Sequence, residues 1–168
     1  VGAAMHIAAH AVSKITLVFA AGSVYTAAHV TEISQMNGVG RRMPWTMAAF
    51  SIGALSMIGL PPTAGFLGKW YMLTGATSTA NWFAVAVIVV STMLNAAYFL
   101  PIIHRAFFRD PPEHAHEGGE HDDHHHHDHG EAPWPIAVAL TATALGTLAL
   151  FFWPDVPLAL AEQLAGMR

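Results

Sequence analysis

The stretch HIAAHAVSK places three titratable side chains, His6, His10 and Lys14, at fourfold spacing. On a helix this spacing keeps them on one side. Each step climbs about 6 Å, so the three groups form a file about 12 Å long. A neutral imidazole can accept a proton at one nitrogen and give one from the other. With intervening water, the file is a candidate proton relay. Two histidines on a helix can equally act as polar contacts between helices. His-x3-His is also a possible zinc pair, but no third ligand lies nearby in sequence, so no metal site is assigned.

A fourth candidate, Lys69, follows an interruption. Residues 59–71 read GLPPTAGFLGKWY, with Pro61 and Pro62 between Gly59 and Gly65 in an otherwise apolar run. Both prolines lack an amide donor, and Pro62 biases Pro61 away from helix. Such a break frees backbone carbonyls and amides that hydrocarbon cannot satisfy, so it must face protein or a water-filled cavity. Broken helices recur at ion sites in transporters. A lysine at the centre of a spanning helix costs roughly 2.5–3.5 kcal/mol and generally marks an ion pathway. Lys14 and Lys69 are the only lysines in the chain. Both are expected near the midplane on adjacent helices, pointing into one polar path, with water or histidine between them.

The elements that hold these residues are apolar helices. Of the 168 residues, 54% are hydrophobic and 11% charged, against about 25% charged in ordinary soluble domains. No Asp, Glu, Lys or Arg occurs in residues 43–68, 70–104 or 132–154. Each run reaches the roughly 20 residues that cross a bilayer as a helix. The expected fold is an all-α polytopic membrane protein with about four crossings: Ala3–Ala28, Met43–Leu73 interrupted at Gly59–Gly65, Trp82–Phe108 and Trp134–Trp153. The absence of cysteine excludes disulfide and thiolate chemistry. No basic patch suggests nucleic acid. No catalytic constellation or cofactor motif is present, so any enzymatic role belongs to an assembly that the chain joins. The chain starts Val-Gly and reads as a fragment lacking an N-terminal part. With Met43–Leu73 counted as one crossing, Arg41 and Arg42 share a side with Arg105 and Arg109. The positive-inside rule then places that side in the cytoplasm and the C-terminus outside.

HAVSKITLVFAAGSV resembles the HAxxK-x-LLF-x-GAGSV stretch of the antiporter-like, proton-conducting subunits of respiratory Complex I, shared with the Mrp-type multisubunit cation/proton antiporters. MPWTMAAFSIGALSMIGLPPTAGFLGKWYML resembles the next signature of that family, the broken helix with its lysine. The resemblance covers about residues 1–110. GKWY and LNAAYFLPIIHRAFF look most like the Mrp D subunit. L-type Complex I subunits have acidic residues just after the lysine, where Trp70 and Tyr71 stand here. M-type subunits carry glutamate at the position of Lys69. The resemblance implies that His6, His10 and Lys14 connect across the membrane centre, and that Lys69 exchanges protons with one aqueous side. It also implies proton translocation in a multisubunit complex of the inner (plasma) membrane, with protons as cargo and Na+ as the exchanged cation in an antiporter. Residues 1–110 then form the C-terminal half-channel, 111–133 a cytoplasmic loop, and 134–168 a final helix and tail.

Residues 113–131 hold eight of the twelve histidines and seven carboxylates. Imidazole and carboxylate suit zinc or nickel, but the spacing is not that of a folded metal site, and flanking Pro and Gly fit a disordered loop, so weak adventitious metal binding or a plain solvated linker is expected before a specific metal function. Deleting residues 113–131 is therefore expected to leave transport largely intact. A zinc transporter with a His-rich loop is the rival reading. It would need acidic ligands inside the membrane, and the spanning segments contain none. A non-conducting scaffold subunit is a third reading, for which two buried lysines are costly.

Overall fold

The computed structural model of the chain describes residues 1–28, 32–110 and 131–166. Among them there are only helices and turns. Helix α1 spans Gly2–Ala28, α2 Val39–Arg42, α3 Pro44–Ile58, α4 Ala64–Ser78, α5 Trp82–Phe108, α6 Trp134–Phe152 and α7 Asp155–Leu164, with a 3₁₀ turn at Ile33–Met36. Helices α1, α5 and α6 are each long and apolar enough to cross a membrane. Helices α3 and α4 have 15 residues each, about 22 Å apiece, each shorter than the roughly 20 residues that cross a bilayer. The interruption expected at Gly59–Gly65 is present: α3 stops at Ile58 and α4 begins at Ala64.

Local chemistry sets these boundaries. Pro44 starts α3 where a missing amide costs nothing. Gly59 ends it in the left-handed region at φ 87°, its amide donating to Leu55 O, as a C-terminal glycine does at low strain. The Pro61–Pro62 peptide is cis. The Asn81 side chain opens α5 by accepting the amide of Ala84 at 3.1 Å.

Helix α1 runs antiparallel to the α3–α4 pair and packs along all of it. Its start meets the second half: a Cβ on Gly2 would stand 2.7 Å from Met72 N, and one on Gly68 would stand 2.7 Å from His6 Cα. Its middle meets α3, where Ser13 Oγ lies 2.6 Å from Ser56 Oγ. The core continues through Ala20, Val24, Met47, Phe50 and Ala54 to Ile102 and Ala106 of α5 and Leu140 and Ala144 of α6. The arginines expected on one side do share one end. Gly38 N donates to Arg105 O at 3.2 Å, and Arg41 pairs with Asp110 at 2.8 Å.

One residue of the His-rich stretch has a role that the sequence reading missed. Glu131 accepts the Trp45 amide at 2.9 Å through Oε1 and the Thr46 hydroxyl at 3.0 Å through Oε2. These groups belong to the first turn of α3, where free amides and the positive dipole end favour an anion. The rest of that stretch, residues 113–130, lies outside the described residues. The deletion expectation is therefore corrected to residues 113–130. Removing Glu131 as well, or replacing it with alanine, is expected to cost about 0.5–2 kcal/mol. Thermal unfolding of the purified subunit should show a lower midpoint for Glu131→Ala than for the 113–130 deletion.

Candidate functional site

The second charged end of α3 is at the break. Lys69 sits on the second turn of α4 and folds back over Gly59, its Cδ lying 2.7 Å from where a Cβ on Gly59 would stand. Its ammonium donates to Ile58 O at 2.8 Å, Met57 O at 3.1 Å and Thr92 Oγ1 at 3.1 Å. Three ammonium donors thus meet three acceptors. Met57 and Ile58 form the last turn of α3, whose carbonyls have no intrahelical donor and carry the negative end of the helix dipole. The break and the lysine explain each other. Interrupting the helix exposes carbonyls at membrane depth, and the lysine supplies donors and a positive charge to them. Neither α1 nor any of α3 to α6 contains Asp or Glu, so the charge is held by dipoles and not by a carboxylate.

The cost of burying Lys69 suggests that Lys69→Ala would leave assembly nearly normal. The ammonium, however, satisfies carbonyls that alanine would orphan. Met57 O keeps only a long contact from Asn95 Nδ2 at 3.4 Å.

The start of α4 is bound as tightly. Gly65 N donates to Ser56 Oγ at 3.1 Å, and Ser13 Oγ donates to Ala9 O at 2.7 Å while meeting Ser56 Oγ. Ser13 and Ser56 are both buried and link α1, α3 and α4 across the break. Thr63 closes the turn by donating to Leu60 O at 2.6 Å.

His6 and His10 adjoin each other, with ring centroids 5.7 Å apart and planes tilted by 42°. The backbone of His6 packs on Gly68, directly before Lys69. His6 Nδ1 is buried and has no hydrogen-bond partner among the described residues. The structure therefore gathers His10, His6 and Lys69 at neighbouring levels. Lys14 stands apart. It is exposed on the outer surface of α1, so it does not point into the same interior path as Lys69 within this chain. The reason is helical drift. A step of four residues turns about 40° past a full circle, so eight residues place Lys14 about 80° around the helix from His6.

Outside Lys69, a groove of about 290 Å³ runs between α4 and α5, lined by Gly59, Phe66, Lys69, Trp70, Thr92 and Met93 among others. Thr92 was not among the residues expected from sequence. A threonine in a spanning helix is common, and the available signal was Asn95 three residues on, on the same side of a helix whose other polar residue nearby is Ser91. No group of three or more metal-ligating side chains occurs among the described residues.

Residues 1–95 match the profile of the family described as NADH:quinone oxidoreductase/Mrp antiporter, transmembrane. The chain belongs to this family. It is a multi-pass membrane protein of the proton-antiporter-like type. It is 45% identical over 112 residues to NADH-quinone oxidoreductase subunit N of Desulforudis audaxviator, an alignment covering 67% of this chain and 22% of that protein. It is 36% identical over 118 residues to NADH-quinone oxidoreductase subunit L of Rickettsia bellii, covering 67% and 18%. It is 36% identical over 85 residues to hydrogenase-4 component B of Escherichia coli, covering 51% and 13%. The chain thus spans between 13% and 22% of the length of these relatives. Among solved structures, respiratory complex I from Thermus thermophilus with bound aureothin contains a chain that superimposes with a TM-score of 0.59 at 24% identity, over 88% of this chain and 33% of that one. The shared fold is the helical arrangement described above.

Proposed function

We propose that this chain is part of a proton-translocating subunit of a multisubunit complex in the cell's plasma membrane, and that Lys69 is its proton-exchange site. The observation that carries the reading is the ammonium held at the helix break, half-buried and without a carboxylate, one residue from the glycine that seats His6. A lysine in this setting is a group that can change protonation state. His6 and His10 extend the path along α1, and Nδ1 of His6, without a hydrogen-bond partner among the described residues, is open to a bond from or to water. Lys14 lies off this path on the outer face of α1 and joins the relay only through protein or water placed against that face, which a spanning lysine requires. In this reading residues 1–110 form the half-channel, 111–133 the connecting cytoplasmic loop and 134–168 the last helix and tail. The cargo is the proton, with Na+ as the exchanged cation only in an antiporter.

Subunits named for NADH-quinone oxidoreductase among the relatives favour a redox-driven complex, with the flavin, iron–sulfur and quinone chemistry in other subunits. The GKWY sequence, which lacks acidic residues after Lys69, favours the D subunit of an Mrp antiporter as the second reading. Purifying the full-length subunit with its partners separates the two. Co-purifying flavin- and iron–sulfur-bearing proteins support the redox complex. Small membrane partners with no redox protein support the antiporter. A subunit that purifies alone at full yield contradicts both.

A further inference from the structure

The three acceptors of the Lys69 ammonium are not equivalent. Met57 O and Ile58 O are carbonyls, which only accept. Thr92 Oγ1 is a hydroxyl, which accepts from Lys69 at 3.1 Å while donating its own proton to Ile88 O at 2.8 Å. Deprotonation changes what Lys69 needs. The ammonium has three donors and no acceptor, whereas the amine has two donors and a lone pair that must meet a donor. Neither carbonyl can provide one. Thr92 can, by rotating its O–H from Ile88 O to Lys69 Nζ. Ile88 O tolerates the loss, because in an intact helix a carbonyl four residues before Thr92 already accepts the backbone amide of residue 92.

We propose that Thr92 is the positioning residue that lets Lys69 exist in both protonation states, accepting from the ammonium and donating to the amine. This inference rests on the reading of Lys69 as a proton-exchange site. In the step, Lys69 Nζ–H breaks and the proton passes to a water molecule entering the groove between α4 and α5, forming hydronium. The nitrogen keeps the electron pair, and the Thr92 hydroxyl turns onto that pair. Reprotonation from water reverses each movement. Thr92 is half-buried at the edge of the groove that Lys69 lines, where a hydroxyl can turn without moving the backbone. It is the eleventh of the 27 residues of α5, near the middle of that helix. Asn95, one turn on, reaches only Met57 O at 3.4 Å and makes no contact with Lys69 that could replace the hydroxyl.

The test uses Thr92→Val, Thr92→Ala and Thr92→Ser in the full-length subunit within its complex, reconstituted in vesicles. Proton transport is normalised to the amount of assembled complex, and Lys69→Arg is measured in parallel. Valine keeps the shape of threonine without the hydroxyl, and serine keeps the hydroxyl without the methyl. Thr92→Val and Thr92→Ala are expected to lose roughly tenfold or more of the transport rate, as a missing hydrogen bond to a charged group would cause. Thr92→Ser is expected to stay within about twofold of wild type by keeping that bond. Normal transport by either the valine or the alanine variant overturns the proposal. So does loss in the serine variant, or failure of the valine and alanine variants to assemble, since either makes Thr92 a packing residue. If Lys69→Arg transports normally, the proton-site reading itself fails. If Lys69→Arg is inactive while Thr92→Val is normal, only the role of Thr92 fails.

Discussion

A Gly65→Ala subunit is expected to vanish from the assembled complex. An ideal Cβ at Gly65 would overlap Ser56 O and stand 2.7 Å from Ser56 C. Both are backbone atoms of α3, so no side-chain rotation relieves the overlap. The two half-helices would have to part, and parting them breaks the bond from Gly65 N to Ser56 Oγ and moves Lys69 away from Met57 and Ile58. Overpacking a rigid core site typically costs 1–3 kcal/mol, occasionally more, and the exposed backbone groups add to that in a membrane. Immunodetection of the subunit in the purified complex measures the effect. Wild-type levels of the alanine variant would show that the close approach of α4 to α3 is not required. Gly75, with open space around its Cβ position, is the matched control, and Gly75→Ala should assemble normally.

Much of this geometry was legible in the sequence. The long apolar runs pointed to α1, α5 and α6, and Pro61 and Pro62 located the interruption through the amides they lack. What the prolines do not encode is the direction of the lysine. Lys69 reaches back eleven residues to Ile58 O, a contact made only after α4 turns beside α3. Lys14 faces outward within this chain because fourfold spacing drifts about 40° per step, a turn that accumulates over three positions. Glu131 was concealed by its neighbours. At the end of a run of seven carboxylates it looked solvated, and its role depends on the first turn of α3, 85 residues earlier for Thr46. Gly65 was noted as part of the break, whereas its function is to admit a neighbouring backbone, a demand that no single sequence displays.

The second large effect concerns Lys69. Lys69→Ala should lose transport and also lower assembly, because Ile58 O and Met57 O lose the ammonium that serves them. An orphaned buried acceptor costs about 1–3 kcal/mol. Lys69→Arg separates charge from proton exchange. Arginine keeps donors and a positive charge for the end of α3, and it does not release its proton in proteins. Its assembly should therefore exceed that of the alanine variant, while transport falls by roughly a hundredfold or more, the scale of a lost acid–base group. Complex carrying Lys69→Arg, reconstituted in vesicles and followed by a pH-sensitive dye, gives the most direct reading. Assembled complex with proton transport at background is the expected result. Transport at the wild-type rate would make Lys69 a fixed charge that only caps α3, and would contradict the proton-exchange role assigned to it.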